Sequence, residues 1–179
     1  IIGYASSKEQ FSEQMSLIKD KFQYYNDLYD IYHDYEGMNN IKTINDNAGI
    51  QPVKVDEEII ELLKLGITMD EKTDGNMNIA MGSVLSIWHD YREAGSEDPY
   101  SAELPPMDEL ERAAEHTDIH NIVIDEEAST VYLTDPDMSL DVGSIGKGYA
   151  VQKVAEYAKN ELGIRYMLFS VGGNVCAIG

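Results

Sequence analysis

The segment DVGSIGKGYA at residues 141–150 constrains the fold of this chain more than any other stretch. Three glycines lie within six positions, and Lys147 stands between the last two. The strand-like residues SLDV lead into the glycines, and the helix-like run AVQKVAEYAKNELG follows them. A glycine-rich turn that enters a helix exposes backbone N–H groups at the positive end of the helix dipole, and both suit phosphate. The segment favours a phosphate-binding strand–turn–helix unit; a plain tight turn with a solvated aspartate and lysine is the alternative.

Two common phosphate loops do not fit this segment. A Walker A loop requires G-x-x-x-x-G-K-[ST], and here Asp141 takes the first glycine position and Gly148 the last position. The dinucleotide fingerprint G-x-G-x-x-G fails because, counted from Gly146, Val151 stands where the third glycine belongs. Any phosphate site at this turn therefore belongs to another class.

The charge of the chain limits its partners. The 33 acidic residues outnumber the 13 lysines and arginines, giving a formal net charge of -20 and a pI near 4.3. Nucleic acid and anionic membrane surfaces would be repelled, so neither is an expected partner. An anionic ligand would need local neutralisation by a lysine, by backbone amides or by a metal cation. A single cysteine, Cys176, excludes an internal disulfide and leaves the compartment open.

Helices are predicted to dominate the first two thirds of the chain. Ser7 and Gln10 form a capping-box pattern, and apolar residues then recur at helical spacing from Phe11 to Tyr32. The Asn- and Gly-rich stretch 37–49 favours a loop, and the acids from Asp56 onward favour the start of a second helix. Further helices are predicted over SVLSIWHDYREAG and from Pro106 to about Glu115.

Strands are predicted mainly in the last third. IVID and TVYL suggest two strands within residues 120–135, and RYMLFSVGGNVCAIG suggests two more, separated by a glycine pair. Together with the helices, this order predicts an α+β or mixed α/β fold. The first residues and the closing VCAIG both look like interrupted strands, so we expect a fragment of a longer protein.

Other candidate sites carry weaker signals. TDGNMNIAMG (73–82) and SVGGN (170–174) could each let backbone approach a ligand closely, although a plain loop and a strand bulge are the alternatives. The four-residue spacing of His116 and His120 falls at a helix end, so no shared metal is expected. His33 and His89 are predicted at the surface, and the chain has no G-x-S-x-G nucleophile motif.

Taken together and in order, four segments resemble the ApbE family, the FAD:protein FMN transferases. The segments are LYDIYHDYEGMNNIKTIN, TDGNMNIAMGSVLSIW, DVGSIGKGYAVQKVAEY and SVGGNVCAIG. The resemblance spans nearly the whole chain and implies a single ApbE-like, T-fold-like domain over 1–179, truncated on its C-terminal side. It also implies that further magnesium ligands lie in a segment beyond Gly179.

The resemblance implies specific roles for residues of this chain. Asp141 and Lys147 would contact FAD, and Tyr32 would lie against the flavin. The backbone carbonyl of Ser144 would bind Mg²⁺, a hard ion that prefers oxygen ligands. The FAD pocket would be lined by Asn76, Met77 and Asn78. No catalytic residue is assigned.

The implied activity is magnesium-dependent transfer of FMN from FAD to a threonine or serine of a target flavoprotein, with release of AMP. A non-catalytic FAD-binding module and a magnesium-dependent FAD pyrophosphatase are the alternatives. The resemblance implies an extracytoplasmic location with a lipid anchor on the bacterial membrane. Exposed strand edges could also support a dimer.

Overall fold

The computed structural model describes all residues from Ile1 to Gly179. It contains six α-helices, a short 3₁₀ turn at Ile119–Asn121 and two three-stranded sheets. In chain order the elements are β1 (Ile2–Gly3), α1 (Lys8–Leu28), α2 (Ile41–Asp46), β2 (Val53–Lys54), α3 (Glu57–Lys72), α4 (Gly82–Glu97), α5 (Met107–Ala114), β3 (Ile122–Asp125), β4 (Thr130–Leu133), α6 (Gly146–Asn160), β5 (Met167–Val171) and β6 (Asn174–Ile178). None of the helices combines the length and the hydropathy that a membrane span requires. This content confirms the predicted mixed α/β class.

The chain divides into two compact units. The terminal unit comprises Ile1–Tyr29 and Gly143–Gly179, and the central unit comprises Asp30–Val142. The segment DVGSIGKGYA crosses the division, because Asp141 belongs to the central unit and Ser144 to the terminal unit.

The terminal unit packs α1 and α6 with an antiparallel sheet of order β1-β5-β6. The buried face of α1 is formed by Ile18, Tyr25 and Leu28, as its helical periodicity predicts. On the sheet, Phe169 is fully buried and meets Phe22 edge to face, with ring centroids 6.3 Å apart. These aromatic and aliphatic contacts form the core of the unit.

The first helix begins as predicted, with one difference in its cap. The hydroxyl of Ser7 accepts the N–H of Gln10 at 3.1 Å, as in a capping box. The Gln10 side chain, however, accepts the N–H of Ser6 at 2.8 Å rather than the N–H of Ser7. The helix ends at Leu28, so Tyr32 lies beyond it.

The central unit contains four helices and an antiparallel sheet of order β2-β4-β3. Helix α3 begins at the Asp56 cap and buries Ile59, Leu62 and Leu63. In the sheet, β4 is the middle strand and buries Val131 and Leu133. The residues TDGN at 73–76 form a turn, with Asp74 and Gly75 both in the left-handed region.

Two local predictions are wrong. The stretch 37–49 is not wholly loop, because residues Ile41–Asp46 form a helix. Its cap is a reciprocal pair in which Asn40 Oδ1 accepts the N–H of Thr43 at 3.0 Å and Thr43 Oγ1 accepts the N–H of Asn40 at 3.2 Å. The SLDV lead-in is not a strand either, since its backbone groups bond to a loop and to a side chain rather than to a sheet.

Candidate functional site

The central unit contains a cavity of about 510 Å³ beside the second half of α4. Two of the residues predicted to contact FAD, Tyr32 and Asp141, line it. The remaining lining residues come from α4 and from the loop that follows it: Leu85, Trp88, His89, Tyr91, Arg92, Gly95, Ala102, Glu103 and Leu104. Apolar and aromatic side chains that enclose a few polar groups are typical of small-molecule sites.

The backbone turn that carries Tyr32 is fixed by Asp30. Asp30 Oδ1 accepts the N–H of Tyr32 at 2.7 Å, and Oδ2 accepts the hydroxyl of Tyr35 at 2.7 Å. The same Oδ2 lies 2.9 Å from Nδ1 of His33. Burial alone would raise the pKa of Asp30, but these hydrogen bonds outweigh it and hold the pKa below its ordinary value.

The ring of Tyr32 forms one aromatic wall of the cavity. Its centroid lies 5.2 Å from that of His89, with an interplanar angle of 31°. The residue remains 55% exposed, so part of the ring is accessible to a ligand. Burial and the Asp141 carboxylate raise the Tyr32 pKa, while Arg92 opposes them. The phenol is therefore protonated near neutral pH and can donate a hydrogen bond.

Helix α4 presents His89 and Arg92 at adjacent turns. Arg92 Nη2 donates to His89 Nδ1 at 2.7 Å, and His89 Nε2 lies 3.1 Å from Glu93 Oε1. Residues three and four apart share one helix face, so both contacts follow from the helical repeat. His89, which was predicted at the surface, is 25% exposed and lines the cavity.

Residues 139–141 bring three of the sequence segments together within the central unit. The carbonyl of Ser139 accepts the N–H of Gly82 at 3.0 Å, and the N–H of Asp141 donates to the carbonyl of Ile79 at 2.9 Å. Between these bonds, the side chain of Asn45 pairs with both backbone groups of Leu140, at 2.8 and 3.0 Å. The backbone of residues 139–141 is thus held by hydrogen bonds at three successive residues.

Asn76, Met77 and Asn78 stand apart from the cavity lining. The amide of Asn76 donates to the Thr73 carbonyl at 2.7 Å and helps to close the 73–76 turn. The Asn78 side chain donates to the Thr117 carbonyl at 2.8 Å and accepts the N–H of Ala80 at 2.7 Å. The Asn78 amide therefore supports the loop before α4, and contact of these three residues with FAD stays a prediction.

In the terminal unit, the glycine turn meets the glycine hairpin. Helix α6 begins at Gly146 without a side-chain cap, so its first amides have no side-chain acceptor. The side chain of Asn174, in β6, lies beside Gly148, where an added Cβ would be 3.2 Å from Asn174 Oδ1. At Gly172 an added Cβ would meet the Lys147 side chain at 3.8 Å. The DVGSIGKGYA and SVGGN segments therefore meet at the start of α6.

The predicted magnesium ligand is the backbone carbonyl of Ser144. Ser144 is exposed, and its carbonyl accepts no backbone N–H, since the first bond at the helix start runs from Tyr149 to Ile145. A free backbone oxygen is a suitable ligand for Mg²⁺, so the residue fits the predicted role.

A different cluster joins His116, Asp135 and Asp137, whose possible ligand atoms lie within 4.8 Å of one another. His116 Nδ1 lies 2.9 Å from Asp135 Oδ2. The hydrogen bond that the His116 ring donates to the Asp135 carboxylate raises the pKa of His116 and lowers the pKa of Asp135. This ion pair holds two of the three residues together, and the N–H of Asp137 donates to Asp135 Oδ1 at 2.9 Å.

Sequence reasoning missed three residues of the site: Asp30, His89 and Arg92. The three-residue spacing of His89 and Arg92 is visible in the sequence, but their position next to Tyr32 depends on the packing of α4. Asp30 carries the local signal of an aspartate that binds a backbone N–H two residues ahead.

Known proteins resemble this chain over most of its length. The chain is similar to FAD:protein FMN transferases of Klebsiella pneumoniae (27% identical over 169 residues, 94% of this chain and 51% of the relative) and Escherichia coli K12 (24% over 159 residues, 87% and 44%). It thus spans about half the length of the curated relatives it matches.

Solved structures show the same fold. An ApbE protein of Thermotoga maritima superposes with a TM-score of 0.79 at 25% identity, covering 98% of this chain and 53% of that chain. The flavin transferase ApbE of Vibrio cholerae gives a TM-score of 0.75 at 22% identity, covering 100% and 53%. The sequence model of the ApbE family matches residues 4–179, through both units. The chain belongs to the ApbE family.

Proposed function

We propose that the chain is part of an FAD:protein FMN transferase. The observation that carries the proposal is the start of α6, where uncapped backbone amides lie beside Lys147 and the glycine hairpin. Backbone N–H groups at a helix start, together with a lysine, suit the phosphates of a nucleotide. The chain's relatives in Klebsiella pneumoniae and Escherichia coli are FAD:protein FMN transferases, which supports FAD as the nucleotide and FMN transfer as the reaction.

The chemistry of the individual residues suggests a separate binding role for each. Lys147 and the first amides of α6 would bind phosphate oxygens and offset their charge in a chain of net charge -20. Within the central unit, Tyr32, Asp141 and the cavity that they line would bind a planar ring. The Ser144 carbonyl would be one ligand of Mg²⁺, which when bound polarises phosphoryl oxygens.

The transfer itself conserves atoms and electrons. A threonine or serine hydroxyl oxygen of the target protein attacks the FMN phosphorus of FAD and forms a phosphoester. The bond from that phosphorus to the bridging oxygen breaks, and AMP leaves with that oxygen. The hydroxyl proton passes to a base, which is not assigned among the residues of this chain.

The first experiment is an FAD titration followed by flavin fluorescence, with and without Mg²⁺. Lys147→Ala should weaken FAD binding by about tenfold or more, because a charge-assisted contact to phosphate is lost. Lys159→Ala, an exposed lysine in the last turn of the same helix, is the matched control and should bind FAD like the parent chain. No saturable FAD binding, or binding indifferent to Lys147→Ala, would contradict the assignment.

Product analysis separates transfer from its rivals. Incubation with FAD, Mg²⁺ and a threonine-bearing target protein should yield AMP and protein-bound FMN in equal amounts. Free FMN with AMP would identify a pyrophosphatase, and unchanged bound FAD would identify a non-catalytic binding module.

We further propose an extracytoplasmic, lipid-anchored location for the whole protein, on the strength of the family resemblance alone. Fractionation of the native cells with an antibody against this chain would test it, and recovery in the cytosol would contradict it. Dimer formation through strand edges likewise stays a prediction, for which sedimentation of the purified chain is the direct test.

A further inference from the structure

We propose that Arg92 is an anion-binding residue of the central-unit cavity and that the cavity selects a phosphorylated aromatic ring over its unphosphorylated counterpart. This inference rests on the proposed function, since it assigns part of a nucleotide to the cavity. It concerns Arg92 and His89, which none of the four family-like segments includes.

Arg92 is a cation without an acidic partner in a strongly acidic chain. Arg92 lines the cavity, and its guanidinium contacts the imidazole of His89. By contrast, Arg112 on α5 forms an ion pair with Asp108 at 3.3 Å. A guanidinium has five N–H donors, so Arg92 retains donors for a ligand after the single bond to His89.

His89 holds Arg92 without neutralising it. Arginine has no acceptor, so the 2.7 Å contact requires His89 Nδ1 to carry a lone pair. The remaining ring proton then lies on Nε2 and donates to Glu93, 3.1 Å away. The imidazole is therefore the neutral tautomer, and the positive charge of Arg92 stays available at the cavity.

The neighbourhood of Arg92 selects for a ligand with both a ring and an anion. Tyr32 offers an aromatic face beside His89, and Trp88 lines the same cavity. Asp141 and Glu103 also line it, so a bare anion would be opposed by two carboxylates. Ring stacking would supply the remaining affinity, and a nucleotide has both parts. The adenylate and flavin mononucleotide halves of FAD share this chemistry.

The test uses two ligand pairs that differ by one phosphate: AMP with adenosine, and FMN with riboflavin. Calorimetric titration of the 179-residue chain should show at least one nucleotide binding about tenfold or more tightly than its partner. The pair that shows the difference identifies the half of FAD involved. Inorganic phosphate alone should not displace the bound nucleotide.

Substitution of Arg92 completes the test. Arg92→Gln should reduce the nucleotide preference to less than about threefold while leaving the unphosphorylated ligand unaffected, and Arg112→Gln should change neither. The inference would be overturned if the parent chain bound both members of each pair equally or bound none of the four ligands. It would also be overturned if Arg92→Gln weakened the binding of both members of a pair by the same factor. FAD bound normally by Arg92→Gln would overturn it while leaving the proposed function intact, whereas a parent chain that fails to bind FAD contradicts the proposed function itself.

Discussion

The carboxylate of Asp30 fixes the backbone of Tyr32 through a 2.7 Å hydrogen bond from the Tyr32 N–H. The same carboxylate accepts the hydroxyl of Tyr35 at 2.7 Å, so one side chain holds the backbone turn that carries Tyr32 at the cavity. Because Asp30 is largely buried and its pKa is held below the ordinary value, the charged form is the one that stabilises this turn.

Asp30→Asn should lower the free energy of unfolding by about 1–3 kcal/mol at pH 7, because hydrogen bonds to a charge are lost. A depressed folded pKa means that this stabilisation is present above the unfolded pKa of about 3.9 and is lost as pH falls through the folded pKa. Urea unfolding of the parent chain and of Asp30→Asn at pH 7 and near pH 3 measures the difference in the free energy of unfolding. An equal difference at both pH values would show that charge is not responsible.

Asn45→Ala should destabilise the chain by about 1–3 kcal/mol, because both backbone groups of Leu140 lose their partner. Urea unfolding monitored by circular dichroism gives the free energy. Asn39→Ala is the matched control, since the exposed Asn39 amide makes one bond, to the Lys54 carbonyl at 2.8 Å. Equal effects of the two substitutions would contradict the special role of Asn45.

Gly82→Ala should destabilise the chain by about 1–3 kcal/mol through overcrowding. An added Cβ would lie 2.5 Å from Ser139 Oγ and 2.6 Å from the Ser139 carbonyl oxygen, so the backbone before Asp141 must move. Thermal unfolding would measure the loss, and Ser86→Ala, at an exposed position of the same helix, should change stability by less than about 0.5 kcal/mol. An unchanged melting temperature for Gly82→Ala would show that α4 and Ser139 are not packed tightly against each other.

His116→Gln should lower the melting temperature near pH 5.5 and have little effect near pH 9. The Asp135 carboxylate raises the His116 pKa, so the pair stabilises the fold below the unfolded histidine pKa of about 6.5. That contribution is lost as pH rises through the higher folded pKa. Melting curves across this range test it, with the exposed His120→Gln as control. A larger decrease in melting temperature at pH 9 than at pH 5.5 would contradict a stabilising charged pair.

Local chemistry in the sequence was enough to predict most of the elements. Helices α1 and α3 follow from their caps and apolar spacing, and the β5–β6 hairpin follows from two strand-like runs around Gly172 and Gly173. These features depend on residues within one or two turns of each other, so no distant contact is needed to specify them. The short helix α2 was missed because the same Asn40 pattern serves both a loop and a helix cap.

The residues of the site likewise divide into those that local sequence identifies and those that depend on tertiary packing. Tyr32, Asp141 and Lys147 stand in local segments that the sequence alone identifies, and the structure places the first two at one cavity. The extended residues 139–141 form no strand, because their partners are the loop at Ile79, the start of α4 and the Asn45 side chain. The ring contact between His89 and Tyr32 and the position of Arg92 at the same cavity were decided only by tertiary structure. Helical spacing fixes which residues share a face, but it does not specify what packs against that face.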